Sequence, residues 1–124
     1  MRIVLADDNK EIRFALGLLL RESGARPEGS PEPFQSNIVE AANAADVIRH
    51  LEEAHCDVVL LDWELPGLSC GELLAEIRRL ASGCRVVAMS GRPEAHRHSL
   101  SLGVDGFVSK NEPPDRLLEL LGMA

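Results

Sequence analysis

Short apolar runs alternate with longer amphipathic segments along the chain. Each run has four to six residues, many of them Val, Ile or Leu, and is typical of a strand that is buried on both faces of a sheet. In the segments between the runs, apolar residues recur at the spacing of one helix face. The runs predict strands at about 2–6, 37–41, 57–62, 85–90 and 106–109. The segments between and after them predict helices after Asp8, over 44–53, after Ser69, over 93–102 and after Pro114.

Polar residues mark the beginnings of two of these helices. Asp8 with Glu11, and Ser69 with Glu72, have the three-residue spacing of a capping box. We therefore expect Asp8 and Ser69 to be N-caps. We expect Gly83 to end the second of these helices, because glycine readily adopts the conformation that closes a helix.

The alternation of five strands with five helices predicts a parallel sheet that is covered on both sides. Right-handed crossovers favour a doubly wound sheet of strand order 2-1-3-4-5 over a closed barrel of eight units. The whole chain, residues 1–124, has the length of one domain with a single core. In this order the first and third strands are neighbours.

Polar side chains stand where four of the apolar runs end. Asp7 and Asp8 follow the first strand, Asp62 ends the third, Ser90 ends the fourth, and Lys110 follows the fifth. Because the carboxyl ends of parallel strands lie along one edge of the sheet, where open α/β folds bind ligands, we expect these groups to surround one crevice.

The residue types in this crevice indicate the chemistry of phosphoryl groups. Three clustered carboxylates repel one another unless a cation neutralises them, and their oxygens suit Mg²⁺ or Mn²⁺. An amine and a hydroxyl beside them would hold phosphate oxygens. Asp62 is then the candidate nucleophile, and it would form an acyl phosphate.

Composition and charge narrow the classes of function. The net charge of −7 argues against a nucleic-acid-binding surface and for a cationic partner. No apolar stretch is long enough to span a membrane, and the N-terminus leads directly into a strand. We therefore expect a cytoplasmic protein. Cys56, Cys70 and Cys84 cannot all pair with one another, so we expect reduced thiols.

Five sequence blocks together resemble the receiver domain of two-component response regulators, which has a flavodoxin-like fold. They are Asp7-Asp8, the Leu-Asp-Trp-Glu-Leu-Pro-Gly segment 61–67, Met89-Ser90-Gly91, the Gly-Val-Asp-Gly-Phe segment 103–107, and Ser109-Lys110. Each block alone is weak, but their order and separation are specific. The resemblance covers nearly the whole chain.

The resemblance implies that Asp62 accepts a phosphoryl group from a phosphohistidine of a sensor histidine kinase or a histidine phosphotransfer protein. It also implies a Mg²⁺ site formed by Asp7, Asp8, Asp62 and the backbone carbonyl of Glu64. The domain would not be an enzyme with an external substrate, but a phosphoacceptor that assists its own phosphorylation and dephosphorylation.

The resemblance further assigns a readout of the phosphorylated state. Ser90 and Lys110 would contact the phosphoryl oxygens, and Phe107 would change rotamer with Ser90. The alternative for Phe107 is a core aromatic without this role. The surface of the fourth helix, fifth strand and fifth helix would then bind an effector or a second copy of the chain.

Two features depart from the family pattern. Family members usually have a proline after the lysine, joined by a cis peptide, whereas Asn111 follows Lys110 here. A cis bond before a non-proline residue costs about 3 kcal/mol, so we expect either a trans bond with a shifted loop or a strained cis bond. The Pro-containing segment Gly24–Ser36 is also longer than is usual, and the sequence suggests no function for it.

Four other residues carry competing interpretations. Glu64 and Arg92 each lie two residues beyond a site residue, so they could pair across the site as a gate against the attacking water, or act as independent surface side chains. His96 and His98 suggest a metal site, but without a third ligand nearby we expect them to be exposed.

Phe14 and Leu18 lie off the apolar stripe of the first helix. They would either pack against the segment that follows or form a docking surface for the kinase or a dimer partner.

Two other classes of function stay open. An aspartate-nucleophile phosphatase would place its nucleophile and a second aspartate two residues apart after the first strand, whereas the aspartates here are adjacent. A receiver-like adaptor that is never phosphorylated would act only through protein contacts. The sequence does not decide whether an effector region belongs to the same protein.

Overall fold

A computed structural model describes residues 1–22 and 37–122. In this part of the chain, five strands alternate with five helices, as predicted. The elements are β1 (Arg2–Ala6), α1 (Lys10–Glu22), β2 (Asn37–Ala41), α2 (Ala44–Glu53), β3 (Val58–Asp62), α3 (Cys70–Leu80), β4 (Arg85–Ser90), α4 (Pro93–Ser101), β5 (Gly106–Ser109) and α5 (Asp115–Leu120). The segment Gly24–Ser36, for which the sequence predicts a long loop, lies outside the described residues.

All neighbouring strands are parallel, and the sheet order is β2-β1-β3-β4-β5. The predicted doubly wound topology is confirmed. The three central strands are almost completely buried, because helices cover both faces of the sheet. This explains why they appear in the sequence as continuous apolar runs rather than as alternating patterns.

Alternate residues of the central strands belong to two separate hydrophobic cores, one on each face of the sheet. On one face, residues such as Val4, Val59 and Val86 pack with side chains of α2, α3 and α4. On the other face, residues such as Ile3 and Leu60 pack with side chains of α1 and α5. The period of two along each strand therefore decides which helices each side chain supports.

The N-cap of α1 differs from the prediction. Asn9, not Asp8, caps the helix: its Oδ1 accepts hydrogen bonds from the backbone N–H groups of Glu11 at 2.9 Å and Ile12 at 3.2 Å. The helix begins at Lys10, so Asn9 is the residue directly before it. The Asp8 side chain does not cap the helix and lies instead at the carboxyl edge of the sheet.

The predictions for α3 are confirmed at its start and wrong at its end. The Ser69 hydroxyl accepts a hydrogen bond from the backbone N–H of Glu72 at 3.2 Å, as a capping box requires. The helix ends at Leu80, and Ala81 is the C-cap, whose backbone N–H donates to the Ile77 carbonyl. Gly83 lies two residues further on and does not end the helix.

The connection from β5 to α5 resolves the alternatives for Asn111. The described residues have no cis peptide bond, so the Lys110–Asn111 peptide is trans. The Asn111 side-chain amide donates to the Gly91 carbonyl at 3.0 Å, and its backbone N–H donates to the Ser109 hydroxyl at 3.1 Å. These bonds attach the loop after β5 to the loop after β4.

Helices able to cross a membrane require a long apolar stretch. Within residues 1–22 and 37–122, no helix has the necessary length and hydropathy.

Candidate functional site

Three carboxylates meet at the carboxyl edge of the sheet. Because β1 and β3 pair in parallel, with Ala6 opposite Leu61, the residues that follow this pair lie side by side. Asp7, Asp8 and Asp62 each place one carboxylate oxygen within 4.8 Å of the others. Asp7 and Asp62 are buried, with 0% and 3% exposure, whereas Asp8 is exposed. The predicted convergence of these three residues is confirmed.

The Lys110 ammonium lies between the two buried carboxylates. Its Nζ is 2.7 Å from Asp7 Oδ2 and 3.2 Å from Asp62 Oδ1. The backbone N–H of Lys110 donates to the Ser90 carbonyl at 2.9 Å and so holds this residue at the end of β5 beside β4. Burial alone would lower the pKa of Lys110, but its bonds to Asp7 and Asp62 raise it overall, so the ammonium stays charged.

Backbone N–H groups orient both buried carboxylates. Asn9 N donates to Asp7 Oδ1 at 2.9 Å, and Glu64 N donates to Asp62 Oδ1 at 3.0 Å. Arg13 Nη1 also donates to the Asp7 carbonyl, at 2.6 Å. Because the Asn9 and Glu64 N–H groups belong to the two turns that follow β1 and β3, the local backbone fixes the carboxylates before any ligand binds.

The pKa of Asp62 is raised to about 6. Burial is the largest cause, and the neighbouring charge of Asp7 acts in the same direction. The Glu64 N–H and the Lys110 ammonium oppose the shift but do not cancel it. The negative charge of the Asp62 carboxylate is therefore not fully neutralised by its surroundings, and more positive charge beside it would favour its ionised form.

The donor set fits a hard divalent cation. Within residues 1–22 and 37–122, the cluster offers carboxylate oxygens, and such ligands suit Mg²⁺ or Mn²⁺ rather than thiophilic metals. The exposed Asp8 leaves the cluster open to solvent, as a cation that keeps part of its hydration shell requires. The backbone carbonyl of Glu64 as a further ligand stays a prediction.

Ser90 is buried at the end of β4, and Glu64 holds its hydroxyl. Ser90 Oγ donates to Glu64 Oε1 at 2.7 Å and accepts from the backbone N–H of Arg92 at 3.0 Å. Of the two alternatives for Glu64 and Arg92, the structure does not form the pair across the site, since Arg92 Nε lies 3.1 Å from Glu94 Oε1 instead. Glu64 reaches Ser90 because β3 and β4 are adjacent, whereas Arg92 pairs with Glu94, which lies two residues later in the sequence.

Phe107 and the two histidines form contacts that the sequence analysis did not predict. The rings of His96 and Phe107 stack with centroids 4.7 Å apart. Trp63 Nε1 donates to His98 Nδ1 at 2.9 Å. Both histidines are exposed, as expected, yet each covers a buried aromatic residue. A buried tryptophan needs an acceptor for its N–H, and this requirement is the feature of the sequence that could have predicted a partner such as His98 for Trp63.

Together these features define a class of protein: a flavodoxin-like α/β domain with three carboxylates, a lysine and a serine at the carboxyl ends of its central strands. Comparison with known families makes the assignment specific. Residues 3–122 match the model of the response regulator receiver domain. The chain belongs to this family of two-component response regulators.

Individual relatives agree with this assignment. The chain is 29% identical over 124 residues to the nitrate/nitrite response regulator protein NarL of Escherichia coli, covering 98% of this chain and 53% of NarL. It is 28% identical over 113 residues to the putative positive transcription regulator of virulence factors BvgA of Bordetella pertussis, covering 90% of this chain and 49% of BvgA. The chain thus spans about half the length of these curated relatives.

A solved structure shows the same fold. The response regulator TrrA of Thermotoga maritima, crystallised in complex with Mg²⁺-BeF, superposes with a TM-score of 0.80 at 26% identity. The match covers 98% of this chain and 96% of TrrA.

Proposed function

We propose that this domain is a Mg²⁺-dependent phosphoacceptor in which Asp62 receives a phosphoryl group from a phosphohistidine. The observation that carries the proposal is the position of Asp62: its carboxylate belongs to the acidic cluster and lies 3.2 Å from the Lys110 ammonium, at the edge of the sheet where α/β folds bind ligands. The Mg²⁺-BeF complex of TrrA supports the same ligand chemistry for the family.

The transfer is a single displacement at phosphorus. A carboxylate oxygen of Asp62 attacks the phosphorus, an O–P bond forms, the N–P bond of the donor breaks, and the histidine imidazole leaves. Lys110 places positive charge beside the developing bond. Asp7, Asp8, Asp62 and the Glu64 carbonyl would hold Mg²⁺ or Mn²⁺, which when bound supplies further positive charge for the phosphoryl oxygens.

The signal then passes through Ser90. Its hydroxyl exchanges the Glu64 carboxylate for a phosphoryl oxygen, and Phe107 follows into the space that Ser90 leaves. His96 is stacked on Phe107, and His98 is bonded to Trp63, so α4 is attached to both β5 and the turn after β3. A shift of either aromatic residue changes the α4-β5-α5 surface, which would bind an effector or a second copy of the chain.

The proposed partners follow from this chemistry. The donor is a sensor histidine kinase or a histidine phosphotransfer protein of the bacterial cytoplasm, and the output is protein contact rather than nucleic-acid binding by this domain. The domain acts on no external substrate, and its catalysis is limited to its own phosphorylation and dephosphorylation.

The test uses purified protein, Mg²⁺ and two donors, acetyl phosphate and a phosphorylated histidine phosphotransfer protein. We expect one added phosphoryl group by mass spectrometry, labile to hydroxylamine as an acyl phosphate is. Asp62→Asn should remove it, and Asp115→Asn, which changes an exposed aspartate of α5, should not. A wild-type chain that takes no phosphoryl group from either donor would instead favour the adaptor function.

A further inference from the structure

Two cysteine thiols meet at the end of the sheet opposite to the acidic cluster. Cys56 precedes β3 and Cys84 precedes β4, and both are almost completely buried, with 1% and 2% exposure. The Cys84 thiol donates to Cys56 Sγ across 3.6 Å. This contact plays no part in the proposed phosphoryl chemistry.

The backbone around these cysteines suits a covalent link. Val58 pairs with Arg85, and a further bond from Arg85 N to the Asp57 carbonyl, at 3.0 Å, extends the pairing toward the two cysteines. Neighbouring strands are about 4.8 Å apart, which lies within the separation that a disulfide spans. The two sulfurs need to approach each other by only about 1.5 Å to bond.

We propose that Cys56 and Cys84 are an oxidation site that a hydroperoxide converts into a reversible intramolecular disulfide. The proposal stands on the position of the two thiols and does not depend on the phosphoacceptor function.

The reaction proceeds in two balanced steps. The Cys56 thiolate attacks an oxygen of the hydroperoxide, an S–O bond forms, the O–O bond breaks, and the leaving oxygen takes up the proton lost by Cys56. The Cys84 sulfur then attacks the resulting sulfenic acid. The S–S bond forms, the S–O bond breaks, and hydroxide leaves as water with the Cys84 proton. Two thiols are oxidised, and the hydroperoxide is reduced to an alcohol and water.

The hydrogen bond between the thiols supports this assignment of attacking and resolving residues. Donation from Cys84 lowers the pKa of Cys56 and raises that of Cys84. Cys56 is therefore the thiol that more readily forms the nucleophilic thiolate.

Access to the pair needs only a local opening. Exposed residues adjoin both cysteines in sequence: His55 precedes Cys56, and Gly83 precedes Cys84. Apart from the two chain neighbours of Gly83, no atom of the part of the chain that the structure describes lies within 4 Å of the point where a Cβ of Gly83 would stand. Small movements of these two turns would admit a small hydroperoxide without disturbing the strands.

The link would close the segment from 56 to 84, which contains β3, α3 and the turn after Asp62. The acidic cluster lies at the other end of β3, so we expect the oxidised domain to retain its acidic site. A cross-link over a segment of this length restricts the unfolded chain, and we expect the melting temperature to rise by about 10 °C.

The experiment treats the wild-type protein with hydrogen peroxide, alkylates the remaining thiols under denaturing conditions, and maps peptides without reductant. Trypsin leaves Cys56 and Cys70 in one peptide, 50–78, so a second protease must cleave after Glu64. We expect Cys56 linked to Cys84, with the loss of two hydrogen atoms in mass, and full reversal by dithiothreitol.

Cys70 provides the matched control, since its thiol bonds to the Trp63 carbonyl and is less buried than the pair. Cys70→Ala should keep the link, and Cys84→Ala should abolish it. Two results with the wild-type protein would overturn the proposal: a peroxide product that contains a disulfide to Cys70, or oxidation of Cys70 while Cys56 and Cys84 remain alkylatable thiols. Both results are read from the wild type, so they hold even if a variant fails to fold.

Discussion

At the scale of single residues, Ser90 has a hydrogen-bond partner that competes with its proposed role. Its hydroxyl donates to the Glu64 carboxylate at 2.7 Å, whereas phosphoryl binding requires the same proton. A hydrogen bond to a charged group contributes about 1.5–3 kcal/mol. The carboxylate also adds negative charge where an anionic phosphoryl donor would approach. Under the proposed function, Glu64 would therefore oppose phosphorylation in two ways, by holding the Ser90 hydroxyl and by repelling the donor.

Replacing Glu64 should accelerate the reaction. With acetyl phosphate and Mg²⁺, we expect Glu64→Ala to be phosphorylated about tenfold faster than the wild type, since the lower end of this range, about 1.5 kcal/mol, corresponds to roughly a tenfold change in rate. Intact-protein mass spectrometry at timed intervals measures this rate.

Glu94→Ala is the matched control, because Glu94 is an exposed glutamate near the site that pairs with Arg92 and not with Ser90. It should leave the rate unchanged. A Glu64→Ala rate equal to or below that of the wild type would contradict the competition.

At the scale of elements, the turn after β3 is fixed against the start of α2. The Ala44 backbone N–H donates to the Pro66 carbonyl at 2.9 Å. Gly67 has a φ of +118°, and a Cβ at this position would lie 2.9 Å from the Ala44 Cβ. Only glycine accommodates both the left-handed backbone and this close approach. The Leu-Pro-Gly turn therefore joins two elements and holds the backbone that follows Asp62.

Gly67→Ala should lower the free energy of unfolding by about 2 kcal/mol or more, because it combines backbone strain with a steric clash. Urea unfolding followed by circular dichroism measures the change. Gly83→Ala is the control: its Cβ would meet nothing within 4 Å, and we expect a change within about 0.5 kcal/mol. Equal effects of the two substitutions would show that the contact with α2 does not matter.

At the scale of the whole molecule, the fold brings two buried carboxylates from separate strands to one ammonium. This arrangement opposes folding when no divalent cation is bound, because the pKa of Asp62 is raised to about 6 from its ordinary value of 3.8. Between these values the folded state binds a proton that the unfolded state has lost. The contribution of Asp62 to stability is therefore fully present below about pH 4 and is lost as the pH rises through 6.

Comparison of the wild type with Asp62→Asn isolates this contribution from those of other carboxyls, such as Asp57, whose pKa is lowered chiefly by its hydrogen bond with Arg2 N. Without Mg²⁺, the stability of the wild type relative to the variant should fall by about 2 kcal/mol between pH 4 and 7. Urea unfolding at several pH values measures it. Saturating Mg²⁺ at pH 7 should raise the free energy of unfolding of the wild type more than that of the variant. A difference in stability between the two proteins that does not change with pH would contradict the raised pKa of Asp62.

The local patterns in the chain were sufficient for the elements and for bringing Asp7, Asp8, Asp62 and Lys110 to one edge of the sheet. Their failures share a physical cause. Asp8 and Asn9 are both good N-caps, and only the exact start of α1 selects Asn9. Glu64 and Arg92 have opposite charges at equivalent positions, but each binds another partner. Arg92 pairs with the carboxylate of Glu94, and Glu64 accepts a hydrogen bond from the buried Ser90 hydroxyl. Side-chain partners depend on distances of a few ångströms that no sequence spacing specifies.

The amino-acid sequence by itself determined the five strands and five helices, the strand order, and the group of three aspartates, a serine and a lysine at one edge, because hydrophobic periodicity and the handedness of crossovers are local properties. Only the tertiary structure decided that Glu64 holds Ser90, that His98 accepts from Trp63, and that Cys56 meets Cys84. Each of these contacts joins residues at least 26 positions apart, and their side chains meet only when neighbouring elements pack in one particular register.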